Sequence, residues 1–174
     1  GGPAPGEDAK MIAAAAGHEP KVFSCFPVAA SPERAALMAN KRIEVDPMLN
    51  WIRSHRAPWI VEGVGGWEVP ITETIRVSDI AEALQLPVIL VAANRLGVLN
   101  HTLMSVDAIR GRGLPLTGVV LNQTHHTHQP LNTWNIEDLK RHVSAPVVPF
   151  PFCQPEQLGQ LGSELLHALE VDSI

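Results

Sequence analysis

Two strand-length runs, Leu86-Pro-Val-Ile-Leu-Val-Ala-Ala93 and Leu116-Thr-Gly-Val-Val-Leu121, most constrain what this chain can fold into. Neither shows the apolar–polar alternation of a half-exposed strand. Each therefore reads as a strand covered on both faces, the arrangement of a parallel sheet. Parallel neighbours need a crossover connection, usually a helix. Residues 102–110 supply a helical pattern between the two runs, stopped by Gly111 and Gly113.

The rest of the chain repeats this logic. Glu7-Asp-Ala-Lys-Met-Ile-Ala-Ala-Ala-Ala16 is an Ala-rich helix ended by Gly17. Lys21–Phe26 is a short extended piece closed by Pro27, and Ser31-Pro32 starts a second helix with an N-cap and a first-turn proline. A third helix is predicted from Asp46 to about Ser54, with Trp51 and Ile52 in the core. A strand at Trp59–Val61 is followed by helices at 77–84 and 135–142, an extended segment at 145–151, and an amphipathic helix at 158–169. The expectation is a single α/β domain over 1–174, built on a doubly wound, mostly parallel sheet.

With 45% hydrophobic and 18% charged residues, the 174-residue chain can bury a core. A net charge of -5 argues against non-specific nucleic-acid binding. Cys25 and Cys153 stand apart with no Cys-x-x-Cys, the pattern expected of reduced thiols in the cytoplasm. No apolar run reaches membrane-spanning length.

The chemistry-bearing stretch is Trp59-Ile-Val-Glu-Gly-Val-Gly-Gly-Trp-Glu-Val-Pro70. Glu62 falls where the predicted strand ends, and Gly63, Gly65 and Gly66 let backbone approach a ligand closely. A carboxylate beside glycine amides at a strand end can hold a metal–phosphate group. A tight turn with a solvated Glu explains the same residues. Asp8 can cap the first helix or serve as a ligand. His125-His-Thr-His128 lacks a carboxylate or thiol at matching spacing and reads as a solvated loop.

Val61-Glu-Gly-Val-Gly-Gly-Trp-Glu-Val-Pro70, Leu86–Val91, Arg95-Leu-Gly-Val-Leu-Asn-His101 and Gly118-Val-Val-Leu-Asn122, in this order, closely resemble dethiobiotin synthetase. Glu7-Asp-Ala and Ser31-Pro fit the same pattern. ATP-dependent amidoligases of cobalamin synthesis share an EG.G motif and form the alternative, together with a non-catalytic partner module of the same fold. The resemblance implies a P-loop NTPase-type fold and a cytoplasmic homodimer of biotin biosynthesis. It implies ATP- and Mg²⁺-dependent ring closure of 7,8-diaminononanoate with CO2 to dethiobiotin.

By the same resemblance, Asp8 and Glu62 fall at the family's metal positions, and Glu62 and Gly65 are the catalytic candidates. Gly63, Val64, Gly65 and Gly66 would offer backbone to phosphates and carbamate. Leu96, Gly97, Val98, Leu99 and Asn100 would bind the substrate carboxylate, reaching it from the partner subunit. Asn122 would read adenine, with Pro149 and Pro151 packing near it. Gln123 stands where the family commonly has Asp, which loosens that nucleotide assignment.

The family's P-loop lysine and the second lysine of its KPV segment are absent, and no Gly-x-x-x-x-Gly-Lys-Ser/Thr occurs in these residues. The start, Gly1-Gly-Pro-Ala-Pro-Gly6, reads as the middle of a loop. The expectation is a sheet lacking its first strand and an enzyme with little activity on its own. Loss of about four or five buried aliphatic side chains would forfeit roughly 6–15 kcal/mol. That is comparable to the whole stability of a domain, about 5–15 kcal/mol.

Overall fold

The computed structural model describes residues 6–15, 17, 19–55, 60–126 and 129–171, with Asp8, Ile12 and Ala15 described by backbone alone. They group into two compact units, Gly1–Leu84 and Gln85–Ile174, each considered by itself.

In the second unit, β1 (Val88–Ala93), β2 (Leu116–Asn122) and β3 (Val147–Phe150) form a parallel sheet in the order β1-β2-β3. The strands alternate with α5 (Val98–Gly111), α6 (Pro130–His142) and α7 (Leu158–Ala168). This is the α/β arrangement the apolar runs predict. Because side chains alternate across a strand, Val119 and Leu121 point together into a cluster with Val98 and Val106 of α5 and Leu139 of α6.

Gly118 faces the other way. A Cβ at that position would lie 2.3 Å from Leu169 Cδ2 and 3.2 Å from the Pro146 carbonyl oxygen. Glycine is what lets the residue capping α7 seat on β2, so this strand is covered on both faces. The first apolar run differs from expectation. Leu90 and Ala92 pack on the core cluster, but Ile89 and Val91 are 41% and 62% exposed. α7 lies over β3 and reaches β2 at Gly118 without covering that face of β1.

Two helix starts also differ. α6 begins at Pro130, ahead of the predicted Asn135, because Pro130 suits the first turn and Asn132 Oδ1 accepts the Gln129 N–H at 2.7 Å. α5 begins at Val98, ahead of the predicted residue 102, after Gly97 at φ +92°.

The first unit holds α1 (Glu7–Ala15), α2 (Pro32–Met38), α3 (Val45–Arg53) and α4 (Val77–Leu84). Leu49, Ile71 and Ile80 form its apolar cluster. Trp51 and Ile52 are half-buried rather than core, and Lys21–Phe26 is irregular, with the Phe23 ring 6.0 Å from that of Trp51.

The predicted strand at Trp59–Val61 is not formed. Trp59 lies outside the described residues, while Ile60 and Val61 are irregular and exposed at 84% and 39%. Among the described residues of this unit there is no β-strand, only an isolated bridge between Pro70 and Arg76. An extended segment without a neighbour leaves its N–H and C=O groups to water and has no reason to stay straight.

Candidate active site

In the first unit, Glu62 is exposed and opens the glycine loop. Gly63 lies against the first residue of α4, where a Cβ would come within 2.8 Å of Val77 Cγ1. Gly65 takes φ +78°, a left-handed conformation that disfavours any side chain. The loop is then tied to α4 by backbone bonds, Val77 N–H to the Val69 carbonyl at 3.0 Å and Ser78 N–H to the Trp67 carbonyl at 2.9 Å. Arg76 Nη1 pairs with Glu68 Oε2 at 2.8 Å beside it. Exposed Val64 and Gly66 therefore sit on a braced turn.

Asp8 occupies the first turn of α1, and its side chain lies outside the described residues. Its neighbour Glu7 accepts a hydrogen bond from Lys10 Nζ at 2.8 Å. That bond and then the lysine charge hold the Glu7 carboxyl below its usual range. Among the described residues no group of three or more His, Cys, Asp or Glu side chains converges. The donor chemistry of Glu62, a solvent-accessible carboxylate, fits a hard ion such as Mg²⁺ that keeps waters and phosphate oxygens as its other ligands.

In the second unit, a cavity of about 330 Å³ opens beside the C-terminal ends of β2 and β3, where parallel sheets bind ligands. Asn94, Gln123, His126, Pro149, Pro151 and Phe152 contribute to its walls. The His126 and Phe152 rings lie with centroids 3.9 Å apart at an interplanar angle of 46°. Gln123 Nε2 donates to the His125 carbonyl at 3.3 Å, and Gln123 N–H donates to the Phe150 carbonyl at 2.8 Å.

Pro149 and Pro151 thus meet in one cavity. Asn122 ends β2 between Leu121 and Gln123 but does not line that cavity, since alternation turns it to the other face. Asn94, His126 and Phe152 were not among the sequence candidates. Asn94 was findable as the first polar residue after an apolar strand, whereas the pairing of His126 with Phe152 joins loops far apart in sequence.

The predicted carboxylate loop becomes the tip of α5. Leu96 is 83% exposed, Val98 is buried, Leu99 is half-buried and Asn100 is exposed. Val98 N–H donates to the Arg95 carbonyl at 3.1 Å, and His101 N–H makes the first helical bond, to Gly97, at 3.2 Å. The intervening Leu99 and Asn100 amides are the ones a helix start leaves for an anion. Val98 and Leu99 can offer only backbone there.

A family model described as an AAA domain matches residues 2–150. The ATP-dependent dethiobiotin synthetase of Anaeromyxobacter sp. (strain Fw109-5) is 39% identical over 150 residues, covering 80% of this chain and 67% of that protein. The chain belongs to the dethiobiotin synthetase family. The enzyme of the same name from Cellvibrio japonicus is 39% identical over 127 residues, 70% of this chain and 55% of its own length. That of Aromatoleum aromaticum is 35% identical over 151 residues, 82% and 66% respectively. This member of the dethiobiotin synthetase family therefore spans between just over half and about two thirds of these relatives. Its family is one of ATP-dependent ligases, and its sheet is of the P-loop NTPase type. No described helix is long and apolar enough to cross a membrane.

Proposed function

We propose that the chain serves the ATP-dependent conversion of 7,8-diaminononanoate and CO2 to dethiobiotin, as a cytoplasmic homodimer in biotin biosynthesis. The observation that carries this reading is the Gly97-capped tip of α5 in a member of the dethiobiotin synthetase family. Its free amides suit the substrate carboxylate, with Leu96, Gly97, Val98, Leu99 and Asn100 forming the turn.

The chemistry follows in three steps. One amine adds to CO2 and becomes a carbamate. A carbamate oxygen attacks the γ-phosphorus of ATP and ADP leaves. The second amine then attacks the carbonyl of the mixed anhydride, phosphate departs with the bonding pair, and the ureido ring closes. Gly63, Val64, Gly65 and Gly66 would present fixed backbone dipoles to the charge that develops, the kind of stabilisation that dominates such steps. Glu62 and Asp8 would hold Mg²⁺, which when bound would supply positive charge against the phosphates.

The base would sit in the cavity at the ends of β2 and β3 rather than against Asn122, whose side chain turns to the other face of β2. Pro149 and Pro151 would flank the base, with the His126–Phe152 pair as the adjoining wall. The whole of 1–174 would act as one dethiobiotin synthetase-like domain. No phosphate-clamping Gly-x-x-x-x-Gly-Lys-Ser/Thr sequence lies within these residues, so turnover by them alone is expected to be weak.

The test is phosphate release with Mg-ATP, bicarbonate and diaminononanoate, each omitted in turn. It should be run on the chain itself and on the chain joined to the N-terminal region of the Anaeromyxobacter relative. Release by the joined protein that needs all three is the expected result. No release by it, or release indifferent to diaminononanoate, would refute the reading in favour of a binding module or a ligase of another substrate.

A further inference from the structure

Asn94 is buried at 7% exposure, and each of its polar groups has a partner. Its N–H donates to the Asn122 carbonyl at 2.9 Å, closing the end of the β1–β2 ladder. Its carbonyl accepts Asn132 Nδ2 at 2.8 Å, and its own Nδ2 donates to the Asn132 carbonyl at 3.0 Å. Its Oδ1 accepts Asn135 Nδ2 at 2.8 Å, and that same amide reaches the Arg95 carbonyl at 3.5 Å. Asn132 completes the set, since its Oδ1 takes the Gln129 N–H where the β2–α6 connection enters α6.

Buried amides are retained where every donor and acceptor is matched, and such networks fix one arrangement of the segments they join. Here the joined segments are the β1–α5 turn, the end of β2 and the start of α6. One side of this hub forms the cavity wall at Asn94, and the other leads within three residues to Gly97 and the tip of α5.

We propose that Asn94, Asn132 and Asn135 form a positioning latch that holds the cavity wall and the α5 tip in fixed register. Asn132 and Asn135 are positioning residues and touch no reacting atom. A base seated at the cavity and a carboxylate seated at the α5 tip would then each meet a turn already set by the other. This functional role rests on the proposed use of those two places; the latch itself rests on the hydrogen bonds alone.

Asn132→Asp separates the latch from simple helix capping. The aspartate keeps an oxygen for the Gln129 N–H, so α6 can still start at Pro130, but it loses the donor to the Asn94 carbonyl. Asn135→Ala removes the other arm without touching the cap. Amide hydrogen exchange at neutral pH should be about tenfold faster at Asn94 and Val98 in both variants, with Ile109 and Val119 within about twofold of the parent. Calorimetric titration with Mg-ADP should show affinity about tenfold lower in Asn132→Asp. Parent-like exchange at Asn94 and Val98 would overturn the latch, as would acceleration spread equally over Ile109 and Val119. If the parent chain binds no Mg-ADP, the nucleotide reading fails, and the exchange rates still decide the latch.

Discussion

Replacing Gly118 by alanine tests the packing of α7 on the sheet. The added Cβ would fall 2.3 Å from Leu169 Cδ2, well inside any tolerated contact, and 3.2 Å from the Pro146 carbonyl oxygen. The leucine methyl can rotate away, but Leu169 is itself 3% exposed and must move into occupied space. The Pro146 oxygen cannot retreat freely, because it accepts the Val119 N–H at 2.8 Å. Overpacking of this kind destabilises by about 1–3 kcal/mol. Reduced freedom of the unfolded chain returns roughly 0.4–1 kcal/mol. The net expectation is a loss of about 0.5–2 kcal/mol, read from urea unfolding monitored by circular dichroism.

Leu169→Ala alone should lose about 2–5 kcal/mol through the cavity it leaves. In the double variant the alanine at 118 partly fills that cavity, so the two losses should fall short of additivity by at least about 0.5 kcal/mol. Strict additivity, or a stabilised Gly118→Ala protein, would refute the packing described for β2 and α7.

Gly65→Ala should destabilise by about 1–2 kcal/mol, since the residue is held at φ +78° and Val69 Cγ2 would lie 3.2 Å from the new Cβ; urea unfolding reads the change. Phe152→Ala removes the ring partner of His126 and should weaken adenosine binding to this chain by about 3- to 10-fold by calorimetry, the scale of one aromatic contact. Glu62→Gln should lower diaminononanoate-dependent phosphate release by the joined protein by about 100-fold while leaving adenosine affinity unchanged.

The sequence revealed the second half of the fold better than the first, for a physical reason. Parallel strands joined by helices bury long apolar runs, so β2 and the order β1-α5-β2-α6-β3-α7 follow from residues close together in the chain. The same logic failed for Ile60 and Val61. Their β-branched side chains favour a strand, but strand formation depends on a neighbour that local sequence does not specify. It failed in part for β1, where Ile89 and Val91 read as buried although the covering helix stops at β2.

Among the site candidates, Gly65 and Gly97 take a positive φ, a conformation glycine adopts without a side-chain penalty. Of the cavity's walls, the sequence pointed to Pro149 and Pro151 and singled out Gln123. Its other walls, Asn94, His126 and Phe152, come together through the β1–β2 and β2–β3 registers. The asparagine hub was hidden for a similar reason, because Asn132 and Asn135 look like surface residues of a polar helix until Asn94 is placed beneath them.

The most direct measurement follows labelled carbon from bicarbonate into product, using the joined protein with Mg-ATP and 7,8-diaminononanoate. The account predicts label in acid-stable dethiobiotin, with one phosphate released for each ring closed. Label that is lost on acidification, or phosphate released without ring closure, would contradict it.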